Sequence, residues 1–259
     1  MDFFCPLASS SSGNAYLLRK GKTLLLIDAG ISCARISAGL SDFGLCPGDI
    51  SAILITHEHT DHTNGLRVLM KRSGAPVYLT NGTNQAVRLE GERACTYSAG
   101  DKFAVGDIEI STFKTPHDAR ESVGFRFDTS NFSLGFATDM GYMPFEGEEL
   151  LRGVKFALIE SNYDREMLIG GSYPYYLKQR INSTRGHQEN SDCGDLAARL
   201  VKNGAEGIML AHISRNNNTP GIAREAVCAR LCCEGINPEK DLELMLAPHD
   251  EPGQPVRLG

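Results

Sequence analysis

The chain has 259 residues, and its 26 lysines and arginines against 32 aspartates and glutamates give a formal net charge of −6. Apolar residues make up 41% of the sequence and charged residues 22%, which is typical of a globular protein and predicts a single domain over 1–259. No apolar run approaches the roughly 20 residues of a membrane span, and the acidic balance excludes a protein that coats nucleic acid with its whole surface.

The first half of the chain alternates short apolar runs with turns, a pattern typical of strands. It predicts strands over 3–8, 15–18, 23–28, 52–56 and 77–80. Gly21-Lys22 is a predicted hairpin turn. Helical spacing of apolar residues predicts helices over 32–44, 66–71 and 84–89.

The second half continues as strands joined by single helices. It predicts strands over 108–115, 123–127, 132–138, 156–159, 207–211 and 242–246. Helices are predicted over 191–203, with Ser191 as the N-cap, and from Thr219 to about 233. Several chemically active side chains follow directly after strands. Because strand ends can converge on one rim of a sheet, we expect these side chains to build one site.

The segment from His57 to His62 reads H-E-H-T-D-H and holds three of the seven histidines of the chain. In a turning loop, His57 and His59 lie on the same side and can bind one metal ion, whereas Asp61 and His62 can reach a second ion beside it. The alternative is a solvated polar loop whose histidines cluster by chance. Three histidines within six positions make metal binding the favoured interpretation.

This H-x-H-x-D-H motif after a buried strand resembles that of the metallo-β-lactamase fold superfamily. The further ligands of the superfamily have counterparts in order along the chain, at Pro116-His117, Thr138-Asp139 and Ala211-His212. The resemblance implies an α/β (α+β) fold in the form of an αββα sandwich, with two mixed β-sheets face to face and helices on the outer faces.

The resemblance also implies a ligand set for two divalent metal ions. The implied ligands are His57, His59 and His117 for one ion and Asp61, His62 and His212 for the other. Asp139 would bridge the two ions, with a water or hydroxide between them. No thiolate is among these ligands, and a nitrogen and oxygen set suits zinc, manganese or iron, so the identity of the ions stays open.

The order of Glu160, His187 and His212 in the C-terminal third is similar to that in ribonuclease Z. This resemblance implies that Glu160 orients His187 and that His187 protonates the leaving oxygen of a phosphodiester. Together with Asp61, these two residues form the predicted catalytic set. The alternative places His187 in a surface loop before a helix cap.

The resemblance is closer still to the YycJ/WalJ exonuclease branch of the superfamily. The segments that carry it are L-A-S-S-S-S-G-N at 7–14, I-D-A-G at 27–30, T-D-M-G-Y at 138–142, E-S-N-Y-D at 160–164 and H-I-S-R-N-N-N-T-P at 212–220. The branch implies a metal-dependent exonuclease that acts on DNA from 5′ to 3′ and is linked to mismatch repair. The implied bridging Asp139 also separates this chain from true β-lactamases, which generally lack it.

Two polar loops beside the implied ligands are candidates for binding substrate. Ser11 and Asn14 lie in a Ser-rich turn whose hydroxyls and backbone N–H groups can bind a phosphate or a 5′ end. Arg215 and Asn217 follow His212 and offer a cation and an amide near the second ion. The structural alternatives are a Ser/Gly hairpin turn in the first loop and asparagine side chains that order the backbone in the second.

Lys178, Arg180 and Arg185 form a basic run with no acidic residue between them. This run can guide a phosphate backbone, or it can be an ordinary solvated helix end. Three tyrosines just upstream can stack on bases or serve as core and rim aromatics of one helix. They are Tyr173, Tyr175 and Tyr176.

These features predict a dinuclear metal-dependent hydrolase of phosphodiesters, first of all a 5′-to-3′ DNA exonuclease linked to DNA repair, with DNA rather than RNA as its partner and no membrane. The enzymatic alternative is a glyoxalase-II-like or lactonase hydrolase of a small ester or thioester. A metal-sensing or scaffold protein is the non-enzymatic alternative. The eight cysteines form no C-x-x-C pair and the N-terminus has no signal-peptide pattern, so we expect reduced thiols and a cytoplasmic location.

Overall fold

A computed structural model describes residues 2–89 and 93–258. In this part of the chain, two seven-stranded sheets pack face to face, and helices cover both outer faces. The central strands are apolar on both sides, so each sheet must be covered twice to bury them. This arrangement confirms the predicted αββα sandwich.

The first sheet is mixed, with an antiparallel half and a parallel half. In spatial order it contains β14 (Val256–Arg257), β1 (Phe3–Ser10), β2 (Gly13–Lys20), β3 (Thr23–Ile27), β4 (Ala52–Leu54), β5 (Val77–Thr80) and β6 (Ala94–Tyr97). The strands from β14 to β3 pair antiparallel, and those from β3 to β6 pair parallel. The predicted hairpin turn at Gly21-Lys22 is confirmed between β2 and β3, where Gly21 has a φ of 56°.

The second sheet is also mixed. In spatial order it contains β13 (Glu243–Leu246), β12 (Gly207–Ala211), β11 (Phe156–Glu160), β10 (Ser133–Ala137), β9 (Val123–Asp128), β8 (Ile108–Lys114) and β7 (Lys102–Val105). The strands β10 to β13 are parallel, and β9 is antiparallel to both β8 and β10. Therefore β8, β10, β11 and β12 all end at the same edge of the sheet.

The alternation of side chains along each strand divides the core into layers. On β3, Leu25 and Ile27 face the core between the sheets, whereas Leu24 and Leu26 face the outer layer. Aromatic rings fill the space between the sheets, and the rings of Tyr16 and Phe136 meet edge to face at 5.0 Å.

The helices of the described chain are α1 (Cys33–Ser41), α2 (Thr60–Thr63), α3 (Leu66–Ser73), α4 (Asn81–Val87), α5 (Phe145–Leu151), α6 (Arg165–Gly170), α7 (Tyr175–Ile181), α8 (Asn190–Lys202) and α9 (Pro220–Cys233). The apolar faces of α1 and α3 pack on the first sheet, and those of α8 and α9 pack on the second. Within the described residues, no helix is long and apolar enough to cross a membrane.

Several boundaries differ from those predicted. Ser191 is not the N-cap of α8, because the helix begins one residue earlier, at Asn190 after Glu189, and the Ser191 hydroxyl donates to Glu189 Oε1 instead. The helix predicted over 84–89 begins at Asn81, where the Thr80 hydroxyl accepts the Thr83 N–H. No predicted range corresponds to α2, α5, α6 or the closing strand β14, and a helix in the segment of α7 was predicted only as one of two alternatives.

Candidate metal centre

The ends of strands from both sheets meet at one edge of the sandwich. The residues found there are Asp28 after β3, the 57–62 loop after β4, His117 after β8, Asp139 after β10, Glu160 at the end of β11 and His212 after β12. Three of them have left-handed backbone conformations, with φ of 59° at Asp28, 56° at Asp139 and 54° at His212. Such conformations cost a non-glycine residue about 1–3 kcal/mol and are concentrated at functional sites.

The first group of possible ligands contains His57, His59 and His117, with one ligand atom of each within 4.8 Å of the others. Two backbone or side-chain contacts set the orientation of its rings. His57 Nδ1 lies 3.0 Å from the hydroxyl of Thr56, and His117 Nδ1 donates to the carbonyl of Gly186 at 3.0 Å. Each ring therefore keeps its Nε2 for an ion, and His117 Nε2 lies 3.3 Å from His59 Nδ1.

The second group contains Asp61, His62 and His212. His62 Nε2 lies 3.4 Å and His212 Nε2 lies 3.7 Å from Asp61 Oδ2. Both imidazoles use their Nδ1 atoms to donate to carboxylates, His62 to Asp28 at 2.7 Å and His212 to Glu160 at 2.8 Å. The remaining possible ligand atoms are Asp61 Oδ2, His62 Nε2 and His212 Nε2, and the amide nitrogen of Asn14 lies 3.1 Å from His62 Nε2.

Asp139 lies between the two groups and is buried. Its Oδ2 is 3.3 Å from His62 Nε2, and its Oδ1 is 3.5 Å from His212 Nδ1 and 3.9 Å from His117 Nε2. The carboxylate is thus within reach of ligands from both groups, which is the position implied for a bridging residue.

Three of these buried side chains have an atom without a hydrogen-bond partner. The atoms are His57 Nε2, Asp139 Oδ2 and His212 Nε2. A buried polar atom without a partner is costly, and a metal ion supplies the missing interaction. Imidazole nitrogens and carboxylate oxygens are suitable donors for divalent transition metals, so the residues present fit a metal centre.

Burial and nearby carboxylates act on the imidazoles in opposite directions. Burial lowers the pKa of His57 well below its usual range, and it also lowers the pKa of His117. Burial opposes protonation of His62 as well, but the surrounding carboxylates, first that of Asp28, raise the pKa of His62 well above its usual range. Carboxylates likewise outweigh burial at His212 and raise its pKa to about 10. An ion bound by the second group would therefore take the place of protons.

Asp28 has a structural role that the sequence did not reveal, although it lies in the I-D-A-G segment. Its Oδ1 accepts the backbone N–H of Thr56 at 2.9 Å, while its Oδ2 accepts His62 Nδ1. The Thr56 hydroxyl donates to the same carboxylate and lies beside His57 Nδ1. One buried acid thus orients a histidine of each ligand group, His62 directly and His57 through Thr56. In the sequence, the position of this acid directly after a strand could have indicated its role.

The structure brings Glu160 and His187 together. His187 Nδ1 donates to Glu160 Oε1 at 2.7 Å, and the His187 side chain is 15% exposed, so it lies at the cleft rather than free in a surface loop. The same oxygen accepts His212 Nδ1, which the sequence did not predict. These residues and Asp139 form a further compact group. Because the Nδ1 atoms of His187 and His212 already donate to Glu160, we interpret this group as a hydrogen-bonding network and not as a further metal site.

The cleft over the cluster has a volume of about 210 Å³ and is lined in part by His59, Asp61, Asp139 and His187. Of the four predicted substrate-binding residues, Ser11 lines this cleft.

The other three predicted substrate-binding residues do not line the cleft. Asn14 is fully buried, and its amide nitrogen donates to the carbonyl of Ser10. The same nitrogen lies 3.1 Å from His62 Nε2 and 3.5 Å from Asp61 Oδ2, so Asn14 contacts the second ligand group as well as the turn. Arg215 forms an ion pair with Asp250, and Asn217 is buried. Ser11 is thus the predicted substrate-binding residue found in the cleft wall, and the substrate-binding roles of both loops stay predictions.

The basic run divides among different partners. Lys178 donates to the carbonyl of Ile169, and Arg185 donates to the carbonyl of His117. Arg180 lines the cleft. Tyr175 and Tyr176 are 77% and 74% exposed on α7, so they are not core residues.

The comparisons with known proteins agree with this geometry. The sequence model of the β-lactamase superfamily domain matches residues 23–213. The chain is 34% identical to the exodeoxyribonuclease YycJ of Bacillus anthracis, over 98% of this chain and 97% of that protein. It is 36% identical to the exodeoxyribonuclease WalJ of Streptococcus pneumoniae serotype 2, over 87% of this chain and 86% of that protein.

Among solved structures, the fold is similar to that of the metallo-β-lactamase fold protein YhfI from Bacillus subtilis. The TM-score is 0.73 at 16% identity, over 97% of this chain and 98% of that chain. Taken with the sequence matches, this similarity confirms the resemblance seen in the motifs. The chain belongs to the β-lactamase superfamily, in the branch of the YycJ and WalJ exodeoxyribonucleases.

Proposed function

We propose that the protein is a dinuclear metal-dependent phosphodiesterase that degrades DNA from the 5′ end and takes part in DNA repair. Family membership and the His/Asp cluster together support a metal-dependent nuclease. The proposal of a dinuclear enzyme that acts on DNA depends on the pair of ligand groups joined by Asp139, in a chain 34–36% identical to exodeoxyribonucleases.

The residues that would hold the ions are those of the two groups. We infer zinc, manganese or iron, with His57, His59 and His117 on one ion, Asp61, His62 and His212 on the other, and Asp139 shared. When bound, two such ions lower the pKa of a water molecule and polarise the phosphoryl oxygens. The buried Asp28 and Glu160 keep the histidine rings in the orientation that this requires.

His187 is the proposed proton donor to the leaving oxygen. Its Nδ1 donates to Glu160, which leaves Nε2 as the second ring nitrogen, in a side chain that lines the cleft. The Glu160 carboxylate is fully buried, and although burial opposes its charge, the neighbouring His187 and His212 hold its pKa below the usual range. A charged Glu160 holds the imidazole by its Nδ1–H in one orientation, which positions Nε2 for the transfer of a proton.

Two features of the cleft and of the helix beside it favour a nucleic acid over a small ester. Arg180 and Tyr173 line the cleft and bring a positive charge and an aromatic ring to it. Tyr175 and Tyr176 are exposed on α7, the helix that carries Arg180. Aromatic rings beside a cation are typical of surfaces that bind single strands by stacking and charge. A metal cluster alone is equally compatible with a glyoxalase-II-like or lactonase reaction, so the test must include both substrate classes.

The test is a parallel assay of bis(p-nitrophenyl) phosphate and a thioester, with protein reloaded with zinc or manganese and with EDTA as the control. We expect hydrolysis of the phosphodiester that EDTA abolishes and either metal restores, with little thioester hydrolysis. Faster hydrolysis of the thioester would replace the nuclease by the small-ester hydrolase. The cytoplasmic location remains a prediction that cell fractionation would test.

A further inference from the structure

Among the lysines and arginines of residues 2–89 and 93–258, Arg180 is the one that lines the metal cleft. It lies on α7, and its side chain is 48% exposed. The other ionisable residues that line the cleft are mainly aspartates and histidines of the cluster and its surroundings, namely Asp61, Asp139, His59, His187 and His212. A fixed positive charge in such a cleft needs an explanation beyond surface solubility.

The guanidinium of Arg180 is held by a forked contact with Asp118. Nε donates to Oδ2 at 2.5 Å, and Nη2 donates to Oδ1 at 3.1 Å. A guanidinium has five N–H donors, and this contact uses two of them. The remaining donors are available to a second anion, and the planar fork of arginine matches the oxygens of a phosphate.

Asp118 ties this guanidinium to the first ligand group. It follows His117 in the chain, and its Oδ1 is 3.4 Å from His117 Nε2 and 3.8 Å from His59 Nε2. The position of Arg180 is therefore set relative to the histidines that would hold an ion.

Stability alone does not account for this pair. A half-exposed ion pair contributes about 0–1 kcal/mol to folding. The pair of Arg199 and Glu148 has similar exposure, 46% and 26%, but does not line the cleft. It therefore offers a matched comparison for Arg180 and Asp118.

We propose that Arg180 binds a non-bridging oxygen of the substrate phosphate and that Asp118 positions its guanidinium. Arg180 would thereby select an anionic phosphodiester over a neutral ester at the same metal centre. This inference rests on the proposed phosphodiesterase function and names the residue that recognises its substrate.

The experiment compares metal-loaded wild type with Arg180→Gln, Arg180→Lys, Asp118→Asn and the control Arg199→Gln. Removing a hydrogen bond to a charged group predicts a loss of about 10- to 100-fold in kcat/KM on bis(p-nitrophenyl) phosphate for Arg180→Gln. Arg180→Lys keeps the charge without the fork and should lose less. Asp118→Asn should raise KM more than it lowers kcat, and Arg199→Gln should match wild type.

Two further measurements separate phosphate binding from a structural role. Added guanidinium should partly restore the activity of Arg180→Gln and should not stimulate wild type. For a DNA oligonucleotide, the slope of log KM against log salt concentration should be smaller by about one in Arg180→Gln than in wild type. Metal content and thermal unfolding should be those of wild type. Loss of metal in Arg180→Gln, or activity equal to wild type, would overturn the inference. If wild type cleaves no phosphodiester, the proposed function itself fails, and this result differs from a failure of the inference on Arg180, in which wild type is active and Arg180→Gln is equally active.

Discussion

Replacing His187 by alanine should separate acid catalysis from metal binding. The ring donates its Nδ1–H to Glu160 Oε1 at 2.7 Å and has no place in either of the two ligand groups joined by Asp139. On DNA, where the leaving alkoxide needs a proton, we expect kcat to fall by about 10²–10⁴-fold. That loss corresponds to about 2.7–5.4 kcal/mol of transition-state stabilisation. On bis(p-nitrophenyl) phosphate the loss should be much smaller, because nitrophenolate leaves without a proton.

Glu160→Gln should behave differently, and the structure gives the reason. The carboxylate oxygen that accepts His187 Nδ1 also accepts His212 Nδ1, at 2.8 Å. Because His212 belongs to the second ligand group, an amide at position 160 should lower metal occupancy as well as rate. His187→Ala should instead keep the metal content of wild type.

The assay is steady-state hydrolysis of both substrates by metal-reloaded protein, with metal content measured on the same samples. His249→Ala is the control, since His249 is the histidine that lies outside the cluster and the cleft. Equal losses on both substrates would mean that His187 positions substrate or holds metal. An unchanged rate on DNA would refute the acid role.

Three further substitutions test the construction of the centre. Asp139→Asn removes an anionic oxygen within reach of both groups, so metal content after reloading should drop well below that of wild type while the fold persists; full occupancy would refute the bridge. Asp28→Asn weakens the hold on His62 and should reduce metal affinity by about 10- to 100-fold in a chelator competition, with an unchanged affinity as the contrary result. A Cβ on Gly30 would lie 1.6 Å from the carbonyl oxygen of Asp61. Gly30→Ala should therefore lower the free energy of unfolding, measured in urea, by about 1–3 kcal/mol or more. A urea midpoint equal to that of wild type would contradict this contact.

Local patterns predicted most strands and the polar residues that follow them, whereas the αββα sandwich was implied by the resemblance of the motifs to the superfamily. Alternating apolar runs marked most strands, and the spacing of His57, His59 and His62 indicated a loop that binds metal. The parallel direction of β8, β10, β11 and β12 then brings the later residues to the same edge. The roles of these residues as ligands remain predictions for the experiments above.

Contacts between distant segments could not be predicted in this way. Asp28 meets His62 across 34 positions, and Arg180 meets Asp118 across 62, and no spacing rule connects such pairs. The short helices α5 to α7 have six or seven residues each, too few for a clear helical period. In the Ser-rich turn, Ser11 lines the cleft, whereas Asn14 folds inward, where its amide nitrogen contacts the Ser10 carbonyl and His62 Nε2.

The most direct test of the central claim is digestion of 5′- and 3′-labelled DNA and RNA duplexes by the manganese-loaded protein. The proposed mechanism predicts that label is released from the 5′ end of DNA at once, that 3′-labelled DNA shortens progressively, and that EDTA stops both. Release from the 3′ end first, preferential digestion of RNA, or cleavage that persists without metal would contradict a metal-dependent 5′-to-3′ DNA exonuclease.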